Sequence, residues 1–521
     1  MLGLRQILQN AAGATFVRDV PAPTCPDANV LVRNEFSVVS SGTERSRVAA
    51  AKKSLVTRVM ERPELALKVV ERVRHDGIRG THDHVRRSLR GETSTGYSSA
   101  GTVIEVGSAV RGIVLGDRVA CAGAGFANHA AIISVPRNLC ARVPAGVPME
   151  AAALTTIAAI ALHGIRLADV RLGDRVAIVG CGLVGQISVR LLLAAGAEVF
   201  ALDLDAGRVE SALACGAHHG LLVNEQTVAS VRASSGALGV DQAVITAASA
   251  TSDPLVLAAG LVRDRGTVVL VGDVPIEAPR SVFFEKELDF RVSRSYGPGR
   301  YDAEYERRGL DYPIGYVRWT EQRNMACVLD LQARGALVLG DLIEEIVPIE
   351  RADEVYDRLC GPADGRPRGA FAFSYVAAAV VSPSARAAAP APLSVDGGVR
   401  VGLIGPGGFA RGVLVPAFRA AGASLEVVAG GSGPAAEAAV RAGEFARVGL
   451  SAAALIADDG LDAVVIATRH GSHAALSVAA LRSGKHVFCE KPLALNAAEL
   501  DDVLCAAVAA ERVLTVGFNR R

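Results

Sequence analysis

The stretch Val176-Ala-Ile-Val-Gly-Cys-Gly-Leu-Val-Gly185 decides the fold. Its four leading apolar residues read as a strand buried on both faces, and Leu183 to Ala195 reads as a helix. Between them stand Gly180, Gly182 and Gly185 in the spacing G-x-G-x-x-G. The first glycine allows a tight turn, the second lets backbone approach a pyrophosphate, and the third lets helix and strand pack closely. The helix start, at Leu183 and Val184, then turns free N–H groups and a positive dipole end toward the phosphates. Outward from this core the alternation continues. Val199–Leu202 is the next strand and ends at Asp203, where a carboxylate accepts hydrogen bonds from an adenosine ribose. The same charge repels a 2′-phosphate, which favours NAD over NADP. Asp205 reads as the N-cap of a helix over Ala206–Cys215. Gln242–Ile245 and Thr267–Val271 are later strands, so the class is α/β with a doubly wound parallel sheet.

A second unit repeats this grammar. Val401–Ile404 is an apolar strand, followed by Gly405-Pro-Gly407-Gly408-Phe409-Ala410, which fits G-x-G-x-x-A and precedes a helix. The next strand, Leu425–Ala429, ends in Gly430-Gly431-Ser432. No acid stands at its tip, so this site takes NAD or NADP. Further on come the strand Ala463–Thr468, the segment Arg469-His-Gly-Ser-His473, and Gly484-Lys-His-Val-Phe-Cys-Glu490-Lys491-Pro492.

Composition bounds the rest. Lys+Arg 55 against Asp+Glu 54 leaves a net charge of +1, which argues against nucleic acid or a polybasic membrane contact. No apolar run is long enough for a membrane span, and Met1–Asn10 has no signal-peptide core. The 9 cysteines are scattered without a C-x-x-C, as expected of free thiols in a cytoplasm. Five segments are expected. Residues 1–150 form a β-rich domain with helices inserted at 45–90. Residues 151–290 form the first dinucleotide-binding domain, and 291–376 return to the β-rich domain. An Ala/Pro/Ser-rich linker follows at 377–398, then the second dinucleotide-binding unit at 399–521. His75, His82 and His84 read as surface residues of the insert, and His218-His219 as a loop pair.

Residues 1–375 resemble the medium-chain dehydrogenase family. Ser41-Gly-Thr-Glu44, Gly96-Tyr-Ser98, Gly101, Gly116-Asp-Arg-Val119 and the first glycine motif carry the resemblance. It implies a GroES-like β domain flanking a Rossmann domain, with chemistry in the cleft between them. In zinc-dependent members, Cys, His and Glu hold a catalytic metal. Here Ser41, Ser46, Tyr97 and Ser98 stand at the matching positions. Hydroxyls are poor zinc ligands, so no metal is expected. Thr43, Glu44 and Tyr97 line the equivalent site, either to carry a proton or as simple replacements in a site without metal.

Residues 399–521 resemble the Gfo/Idh/MocA family, through the glycine motif, Thr468 with His473, the Glu490-Lys491-Pro492 block, and Gly517-Phe-Asn-Arg520. The resemblance implies that Lys491 stands beside the nicotinamide and the reacting hydroxyl, oriented by Glu490. Gly405, Gly407, Gly408, Phe409, Ala410, Thr468, His473 and Pro492 would hold the cofactor. It also implies a cis Lys491–Pro492 bond. Family members continue past this point into an α/β substrate domain; the sequence stops at Arg521, so either it is a fragment or the second unit binds cofactor without completing a sugar site. The order of units resembles fused two-domain oxidoreductases, commonly linked with bacterial cell-surface polysaccharide. The implied activity is oxidation or reduction of a hydroxyl or carbonyl on a sugar, sugar nucleotide or cyclitol. The implied partner is thus a small carbohydrate-like molecule, with self-assembly left open. Two alternatives stand beside it: a zinc-less reductase of a quinone, enone or tetrapyrrole-type substrate, and a non-catalytic NAD(H)-binding scaffold. Tyr296, Arg300, Tyr301, Arg318 and Trp319 read either as a sugar-stacking cluster or as packing.

Overall fold

The computed structural model describes residues 4–10, 13–20, 22–40, 42, 44, 92–361, 369–375, 398–431 and 433–518. Ser41, Thr43 and Ser46, the insert expected at 45–90 with its histidines, and the linker expected at 377–398, save Gly398, lie outside them. The chain divides into two compact units, one of Arg5–Arg18 and Cys25–Ala377, the other of Met1–Leu4, Asp19–Thr24 and Ala378–Arg521.

The first unit contains two large sheets. One has seven strands and is mostly antiparallel. Its backbone is Asn29–Val39, paired on one side with Ser98–Val106 and on the other with Ala370–Ser374, which lies far away in sequence. Ile343–Pro348 adds parallel to Ala370–Ser374, while Arg118–Ala122 and Cys140–Arg142 extend the opposite edge. Residues 343–374 therefore rejoin the β domain that the first 150 residues begin. Buried β-branched residues such as Val30, Val32, Val38, Val103 and Val119 fill its interior.

The other large sheet is parallel. Its order is His219–Leu222, Glu198–Asp203, Arg175–Val179, Val240–Ile245, Val262–Leu270, Asp289–Val292. The chain leaves the central strand toward one side, then crosses to the other for Val240–Ile245. The crevice at that switch point opens at Gly180. Helices Thr155–Ala168 and Leu183–Ala194 cover one face, burying Ile157, Ile187 and Leu192 completely. Asp253–Leu261 packs on the other face with Leu255 and Ala258. Two edges differ from the expectation. The Val262–Leu270 strand starts five residues before Thr267, because Arg263 reaches Asp241 on the neighbouring strand at 2.7 Å and a bulge absorbs Arg265 at φ 55°. Asp289–Val292 runs past the expected boundary at 290.

The second unit is a six-stranded parallel sheet, ordered Arg447–Val448, Ser424–Ala429, Arg400–Ile404, Ala463–Ile466, His486–Glu490, Leu514–Gly517. Successive residues of each strand enter opposite cores. Ile404, Val427, Val464 and Ile466 meet Leu481 and Val503, while Leu403, Val428 and Val465 meet Leu414 and Phe445. Both faces are covered, which explains the unbroken apolar runs of the sequence. Its switch point opens at Gly405. Among the described residues no helix is long and apolar enough to cross a membrane.

Candidate functional site

The first cradle is built by backbone conformation. Gly180 sits at φ 100°, and a Cβ there would come within 2.7 Å of the Ala247 nitrogen. A Cβ on Gly185 would lie 2.0 Å from the Gly180 oxygen, so only glycine lets this helix close on this strand. Gly182 is different: a Cβ there would meet no protein atom within 4 Å. The open side of the loop therefore faces a ligand's space. Gly182 also begins the Leu183–Ala194 helix without any side-chain cap, leaving its first N–H groups for an anion. These residues fit a dinucleotide.

Asp203 ends its strand 8% exposed. One carboxylate oxygen accepts from the Cys181 N–H at 2.7 Å and the other from the Asp205 N–H at 2.9 Å. The residue thus clamps the glycine turn to the neighbouring strand, with further lone pairs open for a ribose. Asp205 caps the Ala206–Ala214 helix through the Arg208 N–H. Sequence reasoning missed Arg208, whose guanidinium stands 3.7 Å from Asp203. Its Nε is buried and has no hydrogen-bond partner among the described residues. The signal was a basic residue one turn into the helix that the acid precedes. Cys181, inside the motif, is buried, and burial raises its thiol to about 12, so it is inert.

In the β domain, Ser98 is fully buried and donates its hydroxyl to the Ala153 carbonyl at 2.6 Å. Glu44 is buried and accepts from the Tyr356 hydroxyl at 3.4 Å. Tyr97 is half-buried against the core. Of the matching metal positions, Ser98 offers only a hydroxyl, a poor zinc donor, and that hydroxyl is already committed to backbone. Sequence reasoning also missed His129. It is buried, its Nδ1 lies 2.7 Å from Ser37 Oγ, and Ser37 Oγ lies 2.6 Å from the Tyr375 hydroxyl. A Cβ on Gly96 would come within 2.7 Å of the His129 nitrogen, so this buried polar chain runs directly against Gly96-Tyr97.

The aromatic and basic cluster divides in two. Trp319 lies between the guanidiniums of Arg166 at 3.4 Å and Arg318 at 3.9 Å. Tyr296 is buried, and Arg300 forms a buried ion pair with Glu306. Only Tyr301 and Arg318 face outward. Glu321, beside them, is fully buried with neither carboxylate oxygen hydrogen-bonded, and burial raises it to about 9. His218 accepts from the Val199 N–H, and His219 begins a strand, stacks on Phe200 and pairs with Glu198.

In the second unit, Gly405 adopts φ 93°, and a Cβ there would come within 2.7 Å of the Ala467 oxygen. Gly407 and Gly408 are open, with no protein atom within 4 Å of a Cβ. Ala410 is buried and opens a π turn, Ala410–Leu414, before the Val415–Ala420 helix. Phe409 is exposed beside it. Gly430 and Gly431 place no side chain at the tip of the second strand, and both have positive φ. Thr468, His473 and Pro492 come together. His473 is buried, with Nδ1 2.8 Å from the Pro492 oxygen and Nε2 3.1 Å from the Thr468 oxygen. The Lys491–Pro492 bond is cis. Glu490 is buried and Lys491 exposed at the carboxyl end of its strand. A Cβ on Gly517 would approach Glu490 Oε1 to 2.7 Å, so glycine there makes room for the carboxylate.

Two parallel sheets, each with an open glycine cradle at its switch point, define a chain with two NAD(P)-binding Rossmann units. Comparison with known proteins gives both. Residues 184–307 match the zinc-binding dehydrogenase family, and residues 399–518 match the oxidoreductase family with an NAD-binding Rossmann fold, Gfo/Idh/MocA. Together these matches support a two-domain oxidoreductase fusion, a dehydrogenase-like first unit followed by a Gfo/Idh/MocA-like second. D-guloside 3-dehydrogenase of Escherichia coli is 29% identical over 269 residues, covering 51% of this chain and 73% of that protein. Myo-inositol 2-dehydrogenase of Thermotoga maritima is 43% identical over 67 residues, 13% of this chain and 20% of that protein. Among solved structures, the alcohol dehydrogenase of Thermus sp. ATN1 superposes with a TM-score of 0.54 at 20% identity, covering 71% of this chain and all of that one.

Proposed function

We propose that the chain is a zinc-independent, nicotinamide-dependent oxidoreductase acting on a hydroxyl or carbonyl of a sugar, sugar nucleotide or cyclitol. The observation that carries this reading is the pair of open cradles at Gly182 and Gly407–Gly408, in a chain whose relatives are named for dehydrogenating a guloside and an inositol. Bound nicotinamide supplies the hydride acceptor or donor. The first unit prefers NAD through Asp203, and the second takes NAD or NADP.

The chain's own residues must then move the hydroxyl proton. Lys491, exposed at the strand end, is placed to stabilise an alkoxide and relay its proton. Glu490 balances its charge. In the first unit Tyr97 is the candidate proton carrier, with Thr43 and Glu44 expected at the same site. The order of units supports a place in cell-surface polysaccharide synthesis.

The test is a panel of sugars, sugar nucleotides, cyclitols and quinones followed by NADH absorbance. Turnover of a sugar or cyclitol by metal-free protein supports the reading. Turnover only of quinones favours the reductase alternative. Tight NADH binding with a flat panel favours a scaffold.

A further inference from the structure

The substrate end of the first unit can be located from its sheet. The carboxyl ends of four adjacent strands stand in a row. A Cβ on Gly180 would touch Ala247, and one on Gly272 would come within 1.9 Å of the Ala247 oxygen. The Ser293 N–H donates to the Leu270 oxygen at 2.8 Å, closing the row. Asp203 lies on the opposite side of Gly180, on the strand that would receive the adenosine. The reactive half of a dinucleotide therefore extends over the ends of Val240–Ile245 and Val262–Leu270. The next strand end is Val292, and the segment leaving it is Ser293–Tyr301.

This segment has an unusual conformation. Positive φ recurs at every second residue: Ser295 53°, Gly297 122°, Gly299 106° and Tyr301 69°. Two of these are not glycine, and a side chain keeps such a conformation only where its surroundings hold it. The surroundings do. Asn324 donates to the Tyr296 oxygen at 2.9 Å, and the Glu321 N–H donates to the Pro298 oxygen at 2.8 Å. The Tyr301 N–H donates to Glu306 at 2.9 Å, and Glu306 also neutralises Arg300.

The polar side chains the anchored segment turns outward are Arg294 and Tyr301, with Pro298 exposed between them. The Arg294 guanidinium lies 4.7 Å from the Tyr301 ring centre, and the ring is 62% exposed. Arg294 is exposed and has no ion-pair partner among the described residues, whereas Arg300 is committed to Glu306. The Tyr301 ring, which the Arg300 guanidinium also approaches at 4.0 Å, thus holds the free Arg294 guanidinium near the strand end and adds a hydroxyl of its own.

We propose that Arg294 and Tyr301 form a recognition pair for a sugar that carries an anionic substituent, a carboxylate or a phosphate. Arg294 takes the anion through its planar fork, and Tyr301 holds that fork and meets a sugar hydroxyl. This inference rests on the sugar-oxidoreductase reading and names its substrate class.

The experiment uses the full chain with saturating NADH. Calorimetric binding is measured for glucose, glucuronate, glucose 1-phosphate and UDP-glucose, and their oxidation is followed in parallel with NAD in place of NADH as the hydride acceptor. At least one anionic sugar is expected to bind about tenfold or more tightly than glucose, the worth of one charge-assisted contact. The carboxylate and phosphate arms identify which anion. Arg294→Ala collapses the preference, Arg294→Lys retains part of it, and Arg171→Ala, an exposed control, leaves it intact. Equal binding of charged and neutral sugars overturns the proposal. So does a preference that survives Arg294→Ala, or an Arg294→Ala effect that falls on NADH affinity instead. An anion preference without any turnover supports the recognition pair and rejects the oxidoreductase reading.

Discussion

At the residue scale, the proposed cofactor site sets Asp203 against Arg208 in the choice of cofactor. The carboxylate repels a 2′-phosphate, and the guanidinium 3.7 Å away attracts one. Two backbone N–H groups anchor the carboxylate, so it stays in place whichever cofactor arrives. Asp203→Ser should shift the NAD/NADP affinity ratio toward NADP by about 1–3 kcal/mol, and Arg208→Ala should shift it toward NAD. Fluorescence titration with both cofactors reads this directly, and an unchanged ratio in both variants would sink the assignment. Glu321 yields a second prediction, in pH. Its folded value of about 9 lies above the ordinary carboxylate range, so the folded chain keeps a proton that the unfolded chain releases. Stability is therefore full at low pH and declines as pH rises toward 9, by an order of 3 kcal/mol at pH 7. Glu321→Gln mimics the protonated acid and should flatten that decline in denaturant melts between pH 5 and 9. The cradle glycines were legible because backbone sterics impose their spacing. Asp205 was legible because a cap sits next to its helix. Arg208, His129 and Glu321 were not, because the groups that give them meaning are brought in by the fold.

At the scale of elements, two lysines close turns that the sequence leaves open. Lys485 is 6% exposed and donates to the Asp458 and Leu461 carbonyls at 2.9 and 2.8 Å. Lys286 donates to the carbonyls of Ala259, Gly260 and Val262, and burial lowers its pKa. Each satisfies acceptors left over where a helix gives way to a strand. Lys485→Met keeps most of the side chain but orphans two buried carbonyls. It should destabilise the second unit by about 1–3 kcal/mol, seen as faster amide exchange in Ala463–Ile466 and His486–Glu490 with the first unit unchanged. Equal exchange would show that water replaces the ammonium. The same distance in sequence hid the start of the Val262–Leu270 strand. Arg263-Asp-Arg-Gly266 reads as a polar turn until Asp241, on the adjacent strand, accounts for Arg263.

At the scale of the molecule, the chain repeats one binding device twice, and each copy can be silenced without harming the fold. Gly182 has φ −69°, a value any residue adopts, and its Cβ direction is empty of protein atoms. Gly407 likewise has an empty Cβ direction and is not among the glycines with positive φ. The Cβ of a valine at either position meets no protein atom within 4 Å, and the side chain points into the space a pyrophosphate needs. At Gly180, Gly185 or Gly405 the same change would collide with backbone and report on folding instead. Calorimetry on the unmodified chain should give two NADH per chain, one for each motif. Gly182→Val and Gly407→Val should each remove one, the double variant both. Melting should move by about 1 kcal/mol or less, the cost of changing a capping glycine. A single NADH in the unmodified chain that vanishes with Gly182→Val alone would mean that the second unit keeps the cradle without using it. Two NADH surviving Gly407→Val would place the second cofactor somewhere other than this loop. Because the new Cβ meets no protein atom in either cradle, a lost site with an unchanged melt reads as lost contact with the cofactor.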